Sequence, residues 1–389
     1  MARRLYNKFI LFLGVAIFGA FLALPLSVQA APTIQEFPIP TTGGFGREIV
    51  AGPDGNVWFT EVGQHKIARI TPAGVVTEFS IPTALAQPQG ITLGPDGNIW
   101  FTELGANQIG RITPAGVITE FPIPTPNSAP IAITAGPDGN LWFVERNANQ
   151  IGRITPAGAI TEFPTTTQPF DITAGPDGNL WYTNTTNALS RMTTSGVATN
   201  YTIATGPGSG ITTGPDGNIW FVSSAANSVV RVTPSGAMTG FPIPTPNAQP
   251  SDIVTGPDGN LWFTEQNANK IGVIKPDGTI VDEYTLPTPT SRPDRITRGP
   301  NNTIWFTEMF ADRIGVINGI IDPSPEPDPD PDNNSNTGAP TVPGAPDTGV
   351  GPASKNGNVL LLIGISLGVL GLSLIVLGRR LLSRSLSSR

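Results

Sequence analysis

The sequence predicts an all-β chain, a seven-bladed β-propeller closed by its own N-terminal strand. Three observations carry this. The 389 residues include seven tryptophans, Trp58, Trp100, Trp142, Trp181, Trp220, Trp262 and Trp305, spaced by 42, 42, 39, 39, 42 and 43 residues. The 45 glycines and 41 prolines, enough to suggest a low-complexity chain, recur at fixed places around each tryptophan. Each repeat also divides into four short β-branched or aromatic runs separated by turn residues, which is the pattern of a propeller blade.

The second repeat shows the elements in order. Its first strand is Gly90-Ile91-Thr92-Leu93. Gly94-Pro95-Asp96-Gly97-Asn98 then turns, with Pro95 pre-setting φ and Gly97 supplying a positive φ. The second strand runs from Ile99 to Glu103, and Gly105-Ala106-Asn107 turns again. The third strand spans Gln108 to Thr113, and Pro114-Ala115-Gly116 is the third turn. The fourth, Val117 to Phe121, ends at Pro122 and Pro124, as expected of an outer edge that needs no further donors. The last repeat stops after its third strand, at Ile314–Asn318, whereas an orphan fourth strand, Ile34–Pro40, opens the repeat region. Joining these two ends gives seven complete blades and a closed ring. An open array would leave both ends uncapped.

Composition narrows the chemistry. There is no cysteine, so a disulfide framework, a thiolate nucleophile and Cys-ligated zinc are excluded. One histidine excludes a multi-His metal site. Residues 32–321 carry 14 basic and 23 acidic side chains, a net charge of −9, which offers no basic stripe for nucleic acid. The surface is mildly acidic and soluble.

The two ends read as targeting and anchoring segments. Residues 1–30 have a basic start, an apolar run and small residues before Ala30, as in a cleaved signal peptide. Residues 322–357 alternate proline with acid and then turn polar, a self-repelling disordered stalk. An apolar run at 359–378 is long enough to span a membrane, and the basic tail 379–389 is expected to stay cytoplasmic. Ala345-Pro346-Asp347-Thr348-Gly349, followed by spacer, span and arginines, resembles the cell-wall sorting signal of Gram-positive surface proteins. That resemblance implies a sortase and cell wall as partners and cleavage between Thr348 and Gly349. The signal usually begins with Leu, and Ala345 departs from it.

The strings Gly94–Glu103 and Gln108–Pro114 resemble virginiamycin B (streptogramin B) lyases, and the likeness extends over the whole repeat region. Such enzymes are seven-bladed and open a cyclic depsipeptide ester by Mg²⁺-assisted elimination. The resemblance places the catalytic histidine two residues before the first-strand isoleucine, in Pro-His-Gly-Ile. Here those positions are Arg47, Gln89, Ile131, Phe170, Ser209, Ser251 and Asp294, none of them histidine. The base that elimination needs near neutral pH is missing. The sole histidine, His65, falls in the turn between second and third strands.

The remaining candidates are carboxylates. Glu61, Glu103, Glu145, Glu265 and Glu308 end the second strands of five blades contiguous around the ring, with Asn184 and Ser223 in the other two. Pairing with the third-strand arginine of the same blade fails in four of the seven blades. The expectation is an acidic arc near the channel mouth, for a cation or a basic ligand group. Asp294 beside Glu308 is a further candidate, as a paired-carboxylate site. The recurrent turn aspartates and the tryptophans read as turn chemistry and inter-blade packing. The function expected is an exported, surface-anchored module that binds a ligand or protein and requires no cofactor. The alternative is a lyase that uses Mg²⁺.

Overall fold

The computed structural model describes residues 31–321, apart from 186, 187, 203–205 and 207. The expected signal peptide (1–30), stalk (322–357), sorting-like motif (345–349), apolar span (359–378) and basic tail (379–389) lie outside the described residues. Among the described residues no helix is long and apolar enough to cross a membrane.

Seven antiparallel four-stranded sheets form the propeller. Blade 2 comprises Pro88–Leu93, Ile99–Glu103, Gln108–Ile112 and Ile118–Pro122. Its first strand starts two residues before the predicted one, because pairing resumes at Pro88 after an irregularity that spans Gln89 and Gly90. The same register shift occurs in blades 1, 3, 4, 6 and 7. Such a bulge re-aims the side chain it contains, so these six first strands bend where they reach the channel mouth. Closure follows the prediction. Thr33–Pro38 pairs antiparallel with Arg313–Asn318, in register from Thr33↔Asn318 to Pro38↔Arg313.

The second strand of every blade is buried along its whole length, and its tryptophan belongs to the core between blades. Trp58, for example, packs with Ile91, Ile99, Phe101 and Ile112 of blade 2. Its indole N–H needs an acceptor in that dry setting. The turn aspartate supplies one: Trp100 Nε1 donates to Asp96 Oδ1 at 2.9 Å, and five other blades repeat the bond. Blade 7 has no such aspartate and uses Thr303 Oγ1 at 2.8 Å. The glycine opening the turn is sterically required, since a Cβ on Gly94 would stand 2.4 Å from the Trp100 ring.

The third-strand arginine has a structural role that explains its failure to track the glutamates. Arg111 lies over both Trp100 and Phe121, and its Nη1 donates to the Pro156 carbonyl in the next blade's turn at 3.1 Å. Arg69 and Arg231 make the same inter-blade bond, to Pro114 and Pro276. Blade 6 carries Val273 there. Its neighbour, blade 7, is the closing blade and has no turn between third and fourth strands to receive the bond.

Candidate functional site at the channel mouth

The first strands line the channel and bring Arg47, Gln89, Ile131, Phe170, Ser209, Ser251 and Asp294 to its mouth, one per blade. Blade 1 to blade 4 supply a cation, an amide and two apolar groups, and blades 5 to 7 supply two hydroxyls and a carboxylate. Asp294 is the best-held member at 4% exposure. Its Oδ1 accepts from Ser251 Oγ at 2.8 Å and from Gln266 Nε2 at 2.6 Å. Arg292 Nη2 donates to Gln266 Oε1 at 3.3 Å, and the guanidinium stacks over Phe310, 4.5 Å from the ring centroid. Phe310 is 59% exposed. The chain from Ser251 through Asp294 and Gln266 to Arg292 therefore runs from the mouth to an outer depression lined by Asn267, Thr290 and Phe310. His65 lies in its turn at φ 56°, with Nδ1 accepting from the Gln87 amide at 3.3 Å.

Just below the mouth is a charged cluster that the sequence reading missed. Arg295 sits at the residue after Asp294, and Glu48, Asp171 and Asp252 occupy the same place in blades 1, 4 and 6. Arg295 Nε is 3.5 Å from Glu48 Oε2, and its Nη1 is 3.5 Å from Asp171 Oδ2 and 3.9 Å from Asp252 Oδ1. Asp252 also accepts the amides of Ile253 and Ile296 and so joins blade 6 to blade 7. Burial alone would lower the Arg295 pKa, but Glu48, Asp294, Asp252 and Asp171 together hold it above its ordinary value. Burial pushes Glu48 up to about 8 and Asp252 up to about 7 against the opposing pull of Arg295. The other three blades have Gly90, Ala132 and Gly210 at this place. The available signal was a charge at a position where other repeats have no side chain beyond Cβ.

The five glutamates do not form an arc at the mouth. Each is fully buried within its own blade. Glu103 reaches outward over Gly110, where an added Cβ would lie 2.7 Å from its Oε1. Its neighbour is Glu120 of the fourth strand, which stands opposite Gly110. The neighbours in the other blades are Glu78 for Glu61, Glu162 for Glu145, Glu283 for Glu265 and Glu36 for Glu308. Where the inner glutamate is absent its outer neighbour is too. Blade 4 has Asn184 and Asn200, both bonded to Ser190, and blade 5 has Ser223 and Gly240.

The two members of each pair have opposite environments. The outer glutamate receives the inter-blade loop: Glu120 Oε1 accepts the Thr83 amide at 3.0 Å, and Glu78 accepts both the amide and the hydroxyl of Thr41. Burial would raise Glu78, but the bonds from Lys66 and Thr41 outweigh it and keep it below its ordinary value. The inner carboxyls are raised by burial first, with the neighbouring outer glutamate adding to the effect. Glu103, Glu145 and Glu265 rise to about 8, and Glu61 and Glu308 to about 7.

The expected Asp294–Glu308 pair does not form either. Glu308 faces Ser291, Glu36 and Arg313, while Asp294 faces Ser251 and Gln266. The bulge turns Asp294 to the mouth, and the inner-glutamate position directs Glu308 outward. Among the described residues no three acidic or histidine side chains gather around a point that could hold a metal. Asp294 is the one carboxylate of the mouth ring; its Oδ1 is engaged, and its unpartnered Oδ2 is a single buried oxygen with the Arg47 guanidinium in its field, a set that fits a Mg²⁺ ion poorly.

Fold and site thus define a seven-bladed propeller with a polar, histidine-free mouth over a salt-bridged channel. Sequence comparison then places it: the chain belongs to the virginiamycin B lyase family, whose sequence model matches residues 27–169 and 164–324. It resembles a streptogramin B lyase structure at 38% identity and TM-score 0.70, over 74% of this chain and 97% of that one. It also resembles virginiamycin B lyase from Staphylococcus aureus at 40% identity and TM-score 0.70, over 74% and 99% of the two chains. A catalytically inactive histidine-to-alanine variant of that protein, with quinupristin, is matched at the same identity and TM-score. A hydrazine synthase from Kuenenia stuttgartiensis, at 15% identity and TM-score 0.62, shares the fold alone. No curated protein sequence matches the chain.

Proposed function

We propose that this propeller is a binding module displayed outside the cell, one that takes a ligand or protein at the mouth and the loops around it. The observation that carries this is the mouth ring itself, in which seven positions hold no imidazole. Asp294, the remaining basic group, has its Oδ1 bonded to Ser251 and Gln266 and its Oδ2 buried. Proton abstraction calls for a base free to approach its proton. The same groups suit recognition. A guanidinium stacked on an exposed phenyl ring, with amides beside it, offers an apolar face and directed donors. Display on a stalk, with anchoring by the apolar run at 359–378 or by a sortase at 345–349, follows from the sequence pattern.

A lyase is the second reading, favoured by family membership and by 38% and 40% identity to solved lyases. One experiment separates the two. The purified protein is incubated with a type B streptogramin and Mg²⁺, and linear product is sought by mass spectrometry. Binding without linearisation, or neither, sustains the module. Turnover that is lost on chelation overturns it.

A further inference from the structure

Blades 2 and 3 differ from the other glutamate-bearing blades in one respect. The residue opposite the inner glutamate, at the start of the third strand, is Lys66 in blade 1, Lys270 in blade 6 and Arg313 in blade 7. Lys66 Nζ contacts Glu78 Oε2 at 2.5 Å and Thr41 Oγ1 at 2.9 Å. Lys270 Nζ contacts Glu283 Oε2 at 3.3 Å and Thr245 Oγ1 at 2.8 Å. In these two blades an ammonium ion thus bonds the outer carboxylate and the loop threonine, and its charge acts on the inner glutamate opposite it without bonding it. Blades 2 and 3 have Gln108 and Gln150 at that place. No cationic side chain replaces the lysine: Glu120 is the one charged group facing Glu103, and Glu162 the one facing Glu145.

Blades 2 and 3 therefore lack the positive charge that acts on the inner carboxyl in blades 1 and 6. The inner carboxyl oxygens are buried without a hydrogen-bond partner in all five blades, Glu61, Glu265 and Glu308 included, and blades 2 and 3 add the buried, unpartnered Oε1 atoms of Gln108 and Gln150. Glu103 and Glu145 are themselves fully buried. The outer carboxylates are fixed from the other side, since Glu120 Oε1 and Glu162 Oε1 accept the amides of Thr83 and Thr125 at 3.0 Å. Buried oxygens facing oxygens call for a positive charge between them. An all-oxygen set of two carboxylates and an amide carbonyl suits a hard divalent cation. It suits Ca²⁺ better than Mg²⁺, because Ca²⁺ accepts irregular all-protein cages whereas Mg²⁺ retains its waters.

We propose that blades 2 and 3 each bind a calcium ion, held by Glu103, Glu120 and Gln108 in one and by Glu145, Glu162 and Gln150 in the other. The ion takes the place that Lys66 and Lys270 fill in their blades. It pins the inter-blade loops carrying Thr83 and Thr125, which border the mouth. This site is separate from the mouth ring and does not depend on what binds there.

The test uses the full chain, stripped with a chelator and titrated with Ca²⁺, then with Mg²⁺, to about 10 mM, above the range of extracellular calcium modules. Calorimetry and tryptophan-monitored melting are the readouts. The expected result is one ion in each of the two blades and a saturable rise in Tm of about 3 °C or more. The double variant Gln108→Lys/Gln150→Lys supplies the ammonium of blades 1 and 6, so it should melt without calcium at least as high as the calcium-loaded protein and show no further response. The pair Glu103→Gln/Glu145→Gln should also lose binding, and it keeps the test decisive if the lysine variant fails to fold. Absence of binding by the unaltered chain overturns the proposal, as does binding that both double variants retain. So does an infrared band of protonated carboxylic acid that is unchanged at saturating Ca²⁺, because the pairs then hold protons instead.

Discussion

Replacing Arg295 with methionine tests whether the channel cluster holds the ring together. The guanidinium has contacts at 3.5, 3.5 and 3.9 Å to Glu48, Asp171 and Asp252. At an effective dielectric constant of about 20, each contact of this length amounts to roughly 4 to 5 kcal/mol of gross attraction. Burying the arginine, whose side chain is 8% exposed, cancels much of that sum. What the variant loses is the compensation of charges already buried, a cost of about 3 to 5 kcal/mol. For a domain of this size that is a fall in Tm of roughly 6 to 12 °C. The loss should depend on pH. Without Arg295 the three carboxylates can escape repulsion only by taking up protons, so their folded pKa values rise further above the unfolded ones. The folded variant then binds more protons than the unfolded chain, and its deficit grows as pH rises from about 5 to about 9. Scanning calorimetry at pH 5, 7 and 9 reads both effects. Adding Glu48→Gln, Asp171→Asn and Asp252→Asn should recover most of the deficit, since neutral amides remove the repulsion and keep an acceptor oxygen for the Ile172 N–H and for the Ile253 or Ile296 N–H. A Tm within about 2 °C of the unaltered chain at pH 9, or a loss equal at all three pH values, refutes the reasoning.

Two further predictions concern the blades. Asp96→Ala leaves the buried Trp100 indole without its acceptor; it should destabilise by about 1 to 3 kcal/mol in equilibrium denaturation, and a change below about 0.5 kcal/mol contradicts the anchoring role. Glu265, raised to about 8, and Glu308, raised to about 7, add stability in full only below their ordinary range, and that stability declines as pH climbs through the raised values. Melting followed from pH 5 to 9 should show this decline, and Glu308→Gln should flatten part of it; an unchanged slope in the variant counts against the protonated inner carboxyl.

The sequence alone established the architecture, because a propeller is local. Seven tryptophans counted the blades, Gly-Pro-Asp-Gly-Asn marked the turns of six of them, and the orphan strand before Pro40 matched the missing strand after Asn318. Each is a short-range pattern repeated, and hydrogen bonding within a blade follows from it. Family membership was legible for the same reason. So was the absence of a histidine from the mouth, since the mouth positions have a fixed place in the repeat.

The destinations of the charges were decided by tertiary structure. The glutamates looked like one arc because adjacent repeats are neighbours on the ring, but the direction of a side chain depends on what lies across its own sheet. Gly110 opens a path outward over the third strand, and Glu120 lies at its end. The partner was present in the Thr-Glu-Phe strings of blades 1 to 3, in Gln35-Glu36-Phe37 and in Asp282-Glu283-Tyr284, yet only the pairing of third and fourth strands shows that it faces the second strand's last residue. The channel cluster is less legible still. Glu48, Asp171, Asp252 and Arg295 are separated by 43 to 247 residues in sequence. Closing seven strands around one axis leaves them a single narrow space, in which a buried arginine must meet its carboxylates.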